Sequence, residues 1–295
     1  MKLQYFRGPQ PNFGDELNTW LWPQLLPDFF DDDPRTLFIG IGSILGTHYD
    51  PDAKKVVFGT GYAPTYHPTP DVHGSDWDVF FVRGPRTARA LGLPEHLGIG
   101  DAAMLLRALN VEFRREPRYI GFMPHWESIP RGNWRAVCAL AGIQFIDPTD
   151  PVEKVITDIL GCTALITEAM HGAIVADTLR VPWIPVLPIE HAHQDKWLDW
   201  AEAMNLSLTR PRLIPSTPAE VHVATFYRPR LGRLSGYVAT SAFSRIAKPL
   251  LTYAAAQRLT TIAKVYPSLS RDNLLEDTVH KMQDKLSQLK HKYRK

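Results

Sequence analysis

The chain has little cysteine, no long apolar run and no surplus of one charge. Cys138 and Cys162 are its two cysteines in 295 residues. So few, at no metal-ligand spacing, exclude a disulfide framework and point to a reducing compartment. No stretch approaches the roughly 18 uninterrupted apolar residues of a membrane span. The opening "MKLQYFRGPQPNFGD" is broken at Arg7, too early for a signal-peptide core. With 33 basic and 31 acidic side chains the formal net charge is +2, which gives no global field for nucleic acid. These absences predict a cytoplasmic protein without a nucleic-acid partner.

Signature loops are missing too. There is neither a Walker-type phosphate loop nor a Ser-His-Asp nucleophile elbow. "GIGSILG" (40–46) misses the dinucleotide fingerprint, because its third glycine comes one position late. That excludes a nicotinamide cofactor. "HAHQDKW" (191–197) puts His191 and His193 two apart with no further ligand at zinc spacing, so no metal is expected.

What is present is alternation. Strand-like runs "KLQYF" (2–6), "TLFIGIGSIL" (36–45), "KKVVFGTGY" (54–62) and "WDVFFVRG" (77–84) end in glycine-containing turns, with helix candidates "DELNTWLWPQLL" and "PRTARALG" between them. After the charged stretch "EFRREPR" (112–118) the pattern restarts: strand "YIGFMPHW" (119–126), helix "NWRAVCALAG", then "IQFIDP". "DPVEKVITDILG" (150–161) follows, read with Asp150 as N-cap, Pro151 as first helical residue and Glu153 closing a capping box. Strand "TALIT" (163–167), helix "AIVADTLR" (173–180) and strand "PWIPV" complete a further βαβ unit. The expectation is an α/β protein with two Rossmann-like, doubly wound domains facing a cleft, over residues 1–113 and 114–222, and a helical extension over 223–295. In the extension Leu275, Val279, Met282, Leu286, Leu289 and Tyr293 make a short heptad stripe, predicting a core-packing or dimer helix and hence a route to a homo-oligomer. Its basic end, "KHKYRK", is either a solvated helix terminus or a contact with anionic lipid at the inner face of the plasma membrane.

Strand ends in such a fold face the cleft. Between "TALIT" and its helix lie Glu168, Met170, His171 and Gly172, where a helix N-terminus presents free N–H groups to an anion. Arg83 ends a strand and Arg86 sits in the first turn of the next helix, a position unfavourable for a cation unless an anion joins it. Asn12 and Asp15 form a turn and cap, Ser43 lies in flexible backbone, and His125 ends a strand of the second half. Arginines from one half and histidines from the other suit a small dianionic or trianionic ligand.

In order and spacing, "NFGDELN", "GIGSILG", "FGTGY", "VRGPRTARALG" with "GIGDAAML", and "EAMHGAIVADTLRVPWIPV" resemble the polysaccharide pyruvyl transferase family over roughly residues 1–190. The resemblance implies a two-domain fold similar to GT-B glycosyltransferases. It implies phosphoenolpyruvate as donor substrate, with no cofactor, and a saccharide or lipid-linked oligosaccharide as acceptor. Pyruvate would bridge two hydroxyls of one sugar in an exopolysaccharide or its precursor as a cyclic ketal, with release of phosphate. By that likeness Arg83 holds the donor, and Met170 and His171 line it; the residue reading adds Arg86 and Gly172 as donor-binding candidates. His171 acts as general acid or as phosphate-side donor, and Glu168 orients it or takes a proton from the acceptor. The family's further donor-side histidine matches either His48 or His67. The runner-up readings are a nucleotide-sugar glycosyltransferase and a non-catalytic scaffold of an envelope-assembly complex.

Overall fold

The computed structural model of the chain describes residues 1–189, 194–226 and 242–293. His191, His193 and much of the basic stretch 226–250 therefore lie outside the described residues. The apolar runs fold as two parallel sheets of four strands each. In the first, β1 (Lys2–Gln4), β2 (Thr36–Ile39), β3 (Lys54–Phe58) and β4 (Trp77–Phe81) lie in the order β1-β2-β3-β4. In the second, β5 (Tyr119–Met123), β6 (Gln144–Phe145), β7 (Cys162–Thr167) and β8 (Trp183–Pro185) lie in the order β6-β5-β7-β8.

The two orders differ in kind. Only the second reverses, and its reversal makes a topological switch point between β5 and β7, where a crevice opens at the strand ends. The first sheet runs without reversal, which corrects the expectation that both halves are doubly wound. The reason is in the connections: β2 reaches β3, and β3 reaches β4, through irregular segments with no helix to carry a crossover to the far edge.

Both faces of the first sheet are covered, so its strands read as continuous apolar runs. On one face Phe38, Val56 and Phe58 meet α1 (Phe13–Leu25), which buries Phe13, Leu17, Leu21 and Leu25. The Trp22 ring lies edge-on to Phe38 and Phe58, with centroids 4.9 and 5.6 Å away. On the other face Ile39 and Val57 pack with Val82, Ala88 and Leu91, the last two from or beside α2 (Pro85–Ala90). The second sheet carries α3 (Trp134–Ala141), α4 (Val152–Leu160) and α5 (Met170–Thr178). The α4 helix starts one residue later than its sequence predicts. Pro151 is the N-cap, no side chain caps the helix, and Asp150 instead pairs with Lys154 at 2.9 Å.

Then come α6 (Asp195–Ala203), α7 (Pro218–Phe226), α8 (Ala242–Ile262) and α9 (Asp272–Tyr293). The heptad stripe of α9 is buried inside this chain: Leu275, Val279, Met282, Leu286 and Leu289 join the core that holds Phe80, Phe81 and Met104. At its basic end the Lys292 ammonium pairs with Asp78 of β4 at 2.6 Å, and the Tyr293 hydroxyl donates to the same carboxylate at 2.6 Å. Among the described residues no helix is long and apolar enough to cross a membrane.

Candidate active site

A cavity of about 240 Å³ lies at the carboxyl ends of the strands, between the two sheets and beside the β5/β7 switch point. The first half contributes Asn12, Phe13, Gly14 and Asp15 from the start of α1, and Ser43 and His67 from loops. The second half contributes His125 and Trp126 after β5, and Ala169, Met170 and His171 after β7. The sequence thus reaches one cavity with Asn12, Asp15, Ser43, His125, Met170 and His171. Gly172, Arg83, Arg86 and Glu168 are placed elsewhere, each for a physical reason.

His171 is the second residue of α5, which begins three residues before the predicted helix and carries no side-chain cap. Ala169, Met170 and His171 line the cavity, so the uncapped first turn of α5, the positive end of the helix, lies at its wall. The imidazole is pressed against α1: a Cβ added at Gly14 would stand 2.0 Å from His171 Nδ1. Only a residue without a side chain lets the ring in, which explains the glycine of "NFGDELN". On its other side Nε2 lies 3.6 Å from Asp101 Oδ2, a fully buried carboxylate. Asp101 also accepts the Ala103 N–H at 3.0 Å, so one oxygen caps a 3-10 helix (Ala102–Ala108) and the other faces the imidazole.

The carboxylate beside His171 is thus Asp101 rather than Glu168. Glu168 accepts the backbone N–H of His125 at 2.8 Å and lines a separate cavity of about 30 Å³. Its burial pushes its pKa up to about 7, against hydrogen bonds from the His125 N–H and Ser128 that lower it. Gly172 is buried under the Thr167 hydroxyl and Met123 sulfur rather than in the cavity wall.

Arg83 stands behind the wall. Its side chain is wholly buried, its Nη1 donates to Ser43 Oγ at 2.6 Å, and its Nε pairs with Asp199 at 3.1 Å. Nη2 has no hydrogen-bond partner. Gly61 of "FGTGY" lies flat on this guanidinium, where a Cβ would stand 2.1 Å from Cζ. Asp199 also accepts the Thr87 N–H at 3.0 Å and the Thr87 hydroxyl at 2.6 Å, so it supplies the anion that the start of α2 lacks. Arg86 is half-exposed and pairs with Glu202 at 2.8 Å, away from the cavity. The anions that joined these two arginines are carboxylates of α6.

Sequence reasoning missed Lys196, which is partly buried in the cavity wall. The signal was there: it occupies the first turn of α6, a cation at a helix N-terminus like Arg86. Desolvation, then the nearby Arg83, pushes its pKa down to about 8, against the pull of Asp15 and Glu127. Asp15 is shifted the other way: burial raises its pKa, while a hydrogen bond from Asn12 and the charges of His171 and Lys196 oppose the rise. Of the two remaining histidine candidates, His67 lines the cavity and His48 lies against it, ring centroids 4.5 Å apart. Among the described residues no group of three or more His, Cys, Asp or Glu side chains is placed to hold a metal.

No protein-family model matches the chain, and no solved structure matches it. A curated relative does. Succinoglycan biosynthesis protein ExoV of Rhizobium meliloti (strain 1021) is 34% identical over 319 residues, which takes in 99% of this chain and 100% of that protein.

Proposed function

The chain belongs to the family of succinoglycan biosynthesis protein ExoV, and on that premise we propose that it acts in exopolysaccharide biosynthesis as a phosphoenolpyruvate-dependent, ketal-forming pyruvyltransferase. The observation that carries the reading is the uncapped start of α5 with His171 in its first turn, opening on a cavity between the two sheets. A phosphate or carboxylate is the ligand such a helix end attracts.

The chemistry needs one proton delivered and two anionic groups held. Protonation of the donor's methylene carbon leaves positive charge at C2, which a hydroxyl of the acceptor sugar attacks. The C2–O bond to phosphate then breaks, phosphate leaves with the first hydroxyl's proton, and the neighbouring hydroxyl closes the ketal while its proton replaces the one delivered to carbon. Nε2 faces the buried Asp101 carboxylate at 3.6 Å, which fixes the ring orientation of His171 as the group that moves a proton at the donor. Met170 packs along the donor. Arg83 adds its charge through Ser43 and its unpartnered Nη2, an electrostatic contribution that requires no rearrangement during reaction. Glu168 fixes the backbone at His125 on the acceptor side. The acceptor is a saccharide of the polymer or of its lipid-linked precursor.

The test is a thermal-shift titration with phosphoenolpyruvate beside UDP, GDP and CMP. A ligand that binds only the native state adds about 2.7 kcal/mol of stability at 100 times its Kd. Phosphoenolpyruvate alone is expected to raise the melting temperature. A rise with a nucleotide instead would move the assignment to glycosyl transfer.

A further inference from the structure

We infer that Lys196 is the ammonium that holds the phosphate of the donor, completing a site whose other cation, Arg83, is already committed to Asp199. The inference rests on the pyruvyl-transfer reading for the donor's identity, and on geometry for the anion itself.

Lys196 sits between the two cavities, lining both the larger one and the smaller one beside Glu168. Among the described residues its ammonium makes no hydrogen bond or ion pair, and it stands 6.0 Å from the centre of the Tyr66 ring. A lysine that snorkelled from this wall would leave the cavity; this one stays in it. The charges that face it are Asp15 on α1, Glu127 after β5 and Arg83 behind Ser43. His67, His125 and His171 share the cavity. Two positive helix ends add to this: Lys196 lies in the first turn of α6, and the first turn of α5 lines the same cavity. Asp15 and Glu127 offset this only in part, since desolvation and Arg83 still outweigh them, so the cation gains further when a polyanion enters. A phosphate next to a carboxylate meets that demand, and a neutral sugar does not.

The same setting makes the grip depend on pH. With a pKa near 8 in the empty site, the ammonium is mostly charged at pH 7 and about a tenth charged at pH 9. The apparent affinity falls with that fraction, about tenfold across the interval. Lysine and arginine differ here in the property that matters, since arginine stays charged throughout.

The experiment is calorimetric titration of the full chain with phosphoenolpyruvate and, separately, with inorganic phosphate, at pH 7 and pH 9. Wild type, Lys196→Met and Lys196→Arg are compared, and each protein's unliganded thermal midpoint is measured to establish folding. Wild type is expected to bind phosphoenolpyruvate about tenfold more weakly at pH 9. Lys196→Met should bind at least tenfold more weakly at pH 7, and Lys196→Arg should bind at both pH values with most of the pH dependence gone. Unchanged affinity and an unchanged pH profile in folded Lys196→Met would overturn the inference and leave the proposed reaction standing. Phosphate binding that needs Lys196, with no binding of phosphoenolpyruvate, would keep the anion site and remove the proposed donor. Silence from wild type toward both ligands would overturn both.

Discussion

Replacing Asp199 by alanine tests whether the buried pair behind the cavity wall holds the two halves of the protein together. Asp199 is 2% exposed and Arg83 wholly buried, so removing the carboxylate strands a guanidinium charge where water does not reach. It also removes the acceptor for the Thr87 N–H and hydroxyl at the start of α2. Breaking one side of a buried pair costs about 3–5 kcal/mol. At about 2 °C per kcal/mol for a chain of this size, the melting temperature should fall by about 6–10 °C. Urea unfolding at pH 7 reads the free energy directly. The control is the double variant Arg83→Met with Asp199→Leu, in which no charge is left stranded; replacing both partners by apolar groups of similar volume is often neutral or better. It should recover most of the lost stability while donor binding stays impaired. A loss below about 1 kcal/mol in Asp199→Ala, a size usual for exposed pairs, would refute the argument, because it would mean that the Arg83 charge reaches water or another anion.

Gly14→Ala drives a methyl into the His171 ring, so turnover should fall at least about 100-fold, the scale of a misplaced catalytic group; kcat/KM with the melting temperature measured in parallel checks this. Glu168 has a folded pKa of about 7 against an ordinary value of 4.5. Its contribution is therefore complete below the ordinary value and is lost as pH rises through about 7, and Glu168→Gln should remove that slope. The gain in the variant at pH 8 is about 1–3 kcal/mol, read as urea midpoints at pH 5 and pH 8. Met282→Ala on α9 empties a fully buried site in the core of the first sheet and should cost about 2–5 kcal/mol, measured by the same unfolding curves.

Periodicity made the elements legible, and their partners were not. The i, i+3, i+4 pattern of Val152, Val155, Ile156 and Ile159 marks α4 because burial on one face is a local property of the sequence. The heptad stripe of α9 is equally visible, yet nothing local says whether its groove is filled by a second chain or by Phe80 and Met104 of this one. Arg83 and Arg86 stood out as cations at a helix start. Their anions, Asp199 and Glu202, come 116 positions later in the chain, beyond the reach of any spacing rule. Asp101 caps its own short helix with one oxygen, a local role, but its second oxygen meets His171 only once the two sheets face each other. The alternation predicted parallel sheets and could not give their order, since the crossover that makes a switch point is set by which edge a returning strand joins.

The return of α9 to the first sheet has a consequence for the order in which the molecule can be built. Phe80 and Phe81 of β4 share a core with Leu286 and Leu289, and the Tyr293–Asp78 bond closes a separation of 215 residues. On a ribosome the N-terminal sheet is made first, and its β4 edge waits uncovered for almost the whole of the remaining chain. The second sheet closes earlier, because the helix over its Phe122, Ile166 and Ile184 face is α8, which precedes α9 in the chain. Folding is then completed at the N-terminal half last, against the direction of synthesis, and contacts of such long separation are slow to close and exposed to aggregation while they are open.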